Sequence, residues 1–153
     1  TRSHNVGFVS TRFAGTDGVS LETEKWARIF EREGFTDYYF AGELDRSPDR
    51  SYRLDIAHFQ HPDIKEINQD CFGTNQRDRS VTRKIQSFKR EIKDHLYQLI
   101  EKFQIDLIVT ENCLTIPMIS SFMKVPCSIE RTPARTARSM PSAPCAWAAT
   151  CMP

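Results

Sequence analysis

The stretch Ser10, Thr11, Arg12, Phe13, Ala14, Gly15, Thr16, Asp17, Gly18 has the parts needed to hold an anion or a sugar hydroxyl. Glycines let a backbone approach a ligand closely, and the first amides of a following helix have no partners inside that helix. Arg12 adds a charged donor. The spacing is neither G-x-G-x-x-G nor a Walker loop, so taken alone it leaves a ligand site and a plain tight turn both open. A second candidate is Glu111 with Asn112, polar residues directly after an apolar run at 105–109. They either meet a ligand, or Asn112 caps the helix that follows. His58 and His61 lie three apart, but a metal site needs further ligands and none is identifiable. They read as structural or solvent-facing histidines, with lining a sugar site as the alternative. No Ser/His/Asp or Cys/His arrangement assembles, so no catalytic residue and no metal ligand is assigned.

These residues need elements to position them. Val6, Phe8 and Val9 form a short β-rich run suited to a strand buried on both faces. The glycine-containing loop follows, then a helix expected to start near Val19 or Ser20, with Glu22 and Glu24 in its first turn. Its apolar stripe is Val19, Thr23, Trp26 and Phe30, and Gly34 is the expected stop. Residues 38–41 read as the second strand and 54–59 as a weaker third, beyond a polar loop around Ser47, Pro48 and Asp49. Pro62 opens a short helix over 63–71 with Ile64, Ile67 and Cys71 on one side. The strongest periodicity is Val81, Ile85, Phe88, Ile92, Leu96, Leu99 and Phe103, an amphipathic helix of about 25 residues. Its basic residues between Arg77 and Lys93 alternate with acids and lack interleaved aromatics, which describes a solvated face and not a nucleic-acid surface. The run at 105–109 closes this body as a buried strand. Strands alternating with helices predict an α/β, Rossmann-like, mostly parallel sheet with helices on both faces. Ligands of such sheets collect at the carboxyl ends of the strands, at the switch point. Residues 10–18 and 110–112 are expected to meet there.

The bulk properties are those of one soluble domain: 153 residues, 39% hydrophobic, 27% charged and a formal charge of +1. Near-neutrality gives no electrostatic reason to expect nucleic acid or an anionic membrane. No apolar run reaches the roughly 20 residues of a transmembrane helix, and no secretory leader is legible. Thr1 stands where an initiator Met would, so the sequence reads as processed or incomplete. The five cysteines include no C-x-x-C pair, which argues against a disulfide framework or zinc site and predicts a cytoplasmic setting.

The averages hide a break. All six glycines precede residue 74, six of the eight prolines fall at or after 117, and three cysteines lie in the last 27 residues. Residues 1–118 read as a patterned body. Residues 119–153 read as an unpatterned, disordered tail with neither helical nor strand period.

Three segments together, 5–27, 58–68 and 106–118, resemble the amino-terminal domain of GT-B-fold, retaining, nucleotide-sugar-dependent glycosyltransferases. The run Gly15, Thr16, Asp17, Gly18, Val19, Ser20, Leu21, Glu22 carries the likeness most specifically. The resemblance implies an incomplete GT-B N-terminal domain, forming mainly the acceptor side of a cleft, with its glycine loop near the donor phosphates and a second domain holding most of the donor. It implicates Gly15, Thr16, Asp17 and Gly18 in substrate binding, and secondarily Glu111 and Asn112; Arg12 joins them as a substrate-binding candidate from the reading of the loop itself. The nucleotide-sugar is then a donor substrate, passing its sugar to an acceptor hydroxyl, and no bound cofactor is called for. The family pattern fails after Met118, where the composition also changes, and the tail is therefore read as out-of-frame sequence joined to a genuine domain start. Translating the coding DNA in the other frames past codon 118 tests this. Without following strands, 105–109 is expected to be an apolar sheet edge through which the chain self-associates. The competing expectations are a non-catalytic Rossmann-like nucleotide- or phosphate-binding module and a truncated product with no activity of its own.

Overall fold

In a computed structural model, residues 4–71, 78–113 and 146–150 are described, the last five by backbone alone. The chain runs β1 (His4–Val9), β2 (Arg12–Phe13), α1 (Gly18–Arg32), β3 (Phe35–Ala41), β4 (Glu43–Leu44), β5 (Ser51–Arg53), α2 (Pro62–Cys71), α3 (Arg79–Phe103), β6 (Leu107–Glu111) and β7 (Ala146–Thr150). One sheet has the order β5-β3-β1-β6-β7 with every pairing parallel, and β2 pairs with β4 in a separate two-stranded ribbon. This is the expected Rossmann-like α/β architecture, with helices on both faces.

Strand alternation sorts the core into two layers. Val6, Phe8, Tyr39 and Val109 pack with Ala27 of α1, flanked by its Val19, Trp26 and Phe30. Val9, Phe40 and Ile108 pack on the opposite face with Ile64 of α2 and with Ile92, Leu96 and Leu99 of α3. The long amphipathic stripe thus lands where its period placed it, and Gly34 stops α1 with φ 86°. Asn5 fastens the start of β1 to the end of α3, its Nδ2 donating to the Phe103 carbonyl at 2.7 Å and its backbone N–H donating to Asp106 Oδ2 at 3.0 Å.

Several expectations need correction. α1 begins at Gly18, beside the expected start and capped by Asp17, so Glu22 and Glu24 lie beyond its first turn. Residues 54–59 are not a strand: the third strand is β5, paired to β3, and a single 3-10 turn over Asp55–Ala57 follows it. The hydrophobic run misled because Ile56 and Ala57 are buried from that turn, with no ladder to satisfy. The last strand of the body is Leu107–Glu111, shifted two residues, since Asp106 is tied to Asn5 ahead of it. The expected free edge is absent, because β6 lies between β1 and β7. Residues 145–151 had shown no strand period, yet Ala146–Thr150 forms β7. An unbroken Ala, Trp, Ala, Ala, Thr run is what a strand in a parallel sheet reads like. The remainder of the predicted tail, 119–145 and 151–153, lies outside the described residues.

Candidate functional site

The chain passes from β1 to β3 on one side and later to β6 on the other, so the switch point lies outside the carboxyl ends of β1 and β6. Residues 10–18 leave β1 there, and Glu111 ends β6 there with Asn112 directly after it, as the sequence placed them.

The loop is held from both sides. The Ser10 amide donates to the Phe40 carbonyl and the Gly42 amide to the Thr11 carbonyl, each at 3.0 Å. Arg12 is not free: its Nε donates to Glu43 Oε2 at 2.8 Å and its guanidinium reaches Asp17 Oδ2 at 3.4 Å. Gly15 adopts φ 74°, a left-handed conformation that favours glycine. Its amide donates to Asp45 Oδ2 at 2.7 Å. Asp17 Oδ1 accepts from the Ser20 amide at 2.8 Å, an ordinary N-cap bond. Thr16 and Gly18 are exposed, and the space beside Gly18 is open to 4 Å around a notional Cβ.

Glu111 is a different kind of group. It is 5% exposed, and its Oε1 has no hydrogen-bond partner among the described residues. Burial raises its pKa above the ordinary carboxyl value, and the negative charge of Glu22 on α1 raises it further. Ser20 and Thr23 of α1 also carry buried hydroxyls without partners. Asn112 is exposed, with φ 56°. That is not the extended backbone an N-cap residue adopts, and the residues it would cap lie outside those described. No hydrogen bond joins Glu111 to residues 12–18 among the described residues. Cys113, next along, is buried, and desolvation pushes its thiol up to about 12, which disfavours the thiolate.

Sequence reasoning missed Glu43, Asp45 and Arg46, which close the loop from the β3 side. Their signal was weak: an acid, Leu, acid alternation after Gly42 that becomes legible only once β4 is known to pair with β2. Arg46 donates to the Ser20 carbonyl at 3.2 Å and lies over the Tyr39 ring. His58 belongs to the same neighbourhood. Its Nδ1 accepts from the Gln60 amide at 3.1 Å, which places the ring proton of the neutral form on Nε2, 3.3 Å from Glu43 Oε2. An open cavity of about 400 Å³ lies beside it, lined by Glu43, Arg53, Asp55, His58 and His61. Among the described residues no group of three or more His, Cys, Asp or Glu could hold a metal ion, and no helix is long and apolar enough to cross a membrane. Of the basic face of α3, Lys84 is paired with Glu66 of α2 at 2.6 Å.

No family model matches the chain, and no solved structure does. Two curated proteins are similar to it, each described as mannosylglucosylglycerate synthase. The one from Thermotoga maritima is 27% identical over 118 residues, which is 76% of this chain and 27% of the relative. The one from Petrotoga mobilis is 25% identical over 112 residues, 72% of this chain and 25% of the relative. The chain therefore spans about a quarter of the length of the curated relatives it matches. This distant similarity supports the glycosyltransferase resemblance read from the loop and the strand ends.

Proposed function

We propose that this chain forms one wall of a sugar-transfer site, the acceptor side of a GT-B cleft. In the whole enzyme a sugar passes from a nucleotide-sugar to an acceptor hydroxyl with retained stereochemistry. The observation that carries the reading is the similarity to two synthases of a glycosylated product, over a stretch whose fold brings residues 10–18 and 110–112 to one switch point. Exposed Thr16 and Gly18 offer the contact surface of the loop, Gly15 and Asp17 set its shape, and Arg12 braces it. Glu111, at the end of β6, and Asn112, just after it, face the ligand. Cys71 and Cys113 are free thiols, in keeping with a cytoplasmic setting.

Transfer is tested by joining the chain to the remainder of either relative and assaying release of nucleotide from nucleotide-sugars with polyol or glycoside acceptors. Acceptor-dependent release is expected, and its loss on replacing residues 15–18 by alanine. The 153-residue chain alone is expected to turn over little, because the resemblance assigns most donor contacts to a second domain. Donor-dependent transfer by the isolated chain would overturn that division of labour.

A further inference from the structure

The cavity beside His58 opens at the carboxyl ends of β3 and β5, next to the glycine-containing loop and not within it. Gly42 directly follows β3 and Arg53 ends β5, and both line it. Its volume of about 400 Å³ falls in the range of small-molecule sites. The side chains of its wall are all polar: Glu43, Arg53, Asp55, His58, Gln60 and His61. Each charged group there engages a single edge. Glu43 accepts from Arg12 through Oε2 at 2.8 Å, and Asp55 accepts from Arg53 Nε through Oδ1 at 2.7 Å. Glu43 Oε1, Asp55 Oδ2 and the terminal nitrogens of Arg53 are left without hydrogen-bond partners among the described residues. His58 Nε2 and His61 Nδ1 also lack one.

Charge narrows the ligand. Glu43 is paired with Arg12, Asp55 with Arg53, and Asp63, 3.6 Å from His61, with Lys84 at 3.4 Å. Arg12 is shared with Asp17 at 3.4 Å and Lys84 with Glu66 at 2.6 Å. Every cation near the wall is thus matched by at least one carboxylate, and none is left over to recommend an ion. Among the described residues no group of three or more His, Cys, Asp or Glu could hold a metal. What remains is a set of planar donor and acceptor groups with open edges, which suits adjacent hydroxyls that each donate and accept.

We propose that this cavity is a subsite for a sugar ring of the acceptor, its hydroxyls read by Arg53, Asp55 and the open edge of Glu43. The assignment to the acceptor rests on the acceptor-side reading above, whereas the binding of a sugar ring here does not. Glu43 joins the two places, since the oxygen that braces Arg12 also lies 3.3 Å from His58 Nε2. None of residues 15–18 lines the cavity, so a ring seated there lies beside the loop without competing for it.

The test follows the imidazole signals of the full 153-residue chain during titration with glucose, mannose and galactose, and separately with cyclohexanol. At least one sugar is expected to shift His58 and His61 saturably. His95, which hydrogen-bonds Tyr52 and does not line the cavity, is expected to stay put and to report that variants are folded. Cyclohexanol, a ring of similar size with a single hydroxyl, is expected to shift neither. Asp55→Asn and Arg53→Ala, both at exposed positions, are each expected to weaken sugar binding about tenfold. No saturable shift with any of the sugars up to about 0.1 M, an equal response to cyclohexanol, or unchanged affinity in both variants overturns the proposal. In the joined enzyme of the transfer assay, Asp55→Asn is expected to raise KM for the acceptor about tenfold with kcat kept. Sugar binding by the chain with an unchanged acceptor KM overturns the acceptor assignment alone. Ring shifts without any transfer sink the acceptor-side reading and leave the sugar site standing.

Discussion

At the scale of single residues, the most informative group is Glu111. A carboxyl whose folded pKa is raised by burial and by Glu22 binds more protons folded than unfolded. Stability therefore falls as pH climbs from the ordinary carboxyl value through the raised one, and the loss is complete above it. Glu111→Gln is expected to raise the melting temperature at pH 7 and to have little effect near pH 4, where the native side chain is protonated in both states. An equal effect at both pH values would show that the pKa of Glu111 is not perturbed. Gly42 makes a complementary point. A Cβ there would run into the His58 backbone nitrogen, a contact that no side-chain rotation relieves. Gly42→Ala is expected to cost about 2 kcal/mol or more in chemical denaturation, or to part the His58 turn from β3. His58 and Glu43 are neighbours only because that glycine allows two backbones to touch, and nothing in residues 42 and 58 of the sequence announces it.

At the scale of elements, helices were the most legible parts. Seven apolar residues at spacings of three or four in α3 can satisfy only one period, so its extent and its buried face followed directly. Its end was less legible, because Gln104 occupies the left-handed region with φ 49° where glycine is usual. Gln104→Gly is expected to stabilise the chain by about 1 kcal/mol, read as a shift in the denaturation midpoint. No change would mean that the bond from Gln104 Nε2 to the Glu101 carbonyl, 2.7 Å long, already offsets the backbone cost. Short strands were harder. β2, β4 and β5 are two or three residues long, too short for a period to show, and each exists because a neighbour supplies its hydrogen bonds. The candidate loop was legible as a loop, whereas its closure by Glu43, Asp45 and Arg46 depends on the β2–β4 pairing and so was not.

At the scale of the whole molecule, the sheet has its apolar centre in β1, β3 and β6, with β5 and β7 outermost. β7 answers the problem of a bare β6, whose Ile108 and Val109 are buried and whose outer backbone groups would otherwise be unpaired. A chain ending at residue 145 is expected to form dimers or larger species at micromolar concentration on size-exclusion chromatography, and the chain carrying 146–150 to elute closer to monomer. Identical elution of the two would show that β7 does not protect that edge.

The tie from Asn5 to Phe103 and Asp106 also sets an order of events during synthesis. Residue 5 leaves the ribosome well before its partners, which lie 98 and 101 residues downstream. β1 also pairs with β6, which is made still later, so the central strand stays unfinished while α1, α2 and α3 take shape around it. β1 is thus made before β3 and β6 and completed only after both. A nascent chain halted before residue 107 would present Val6, Phe8 and Val9 to whatever binds exposed strands in the cell.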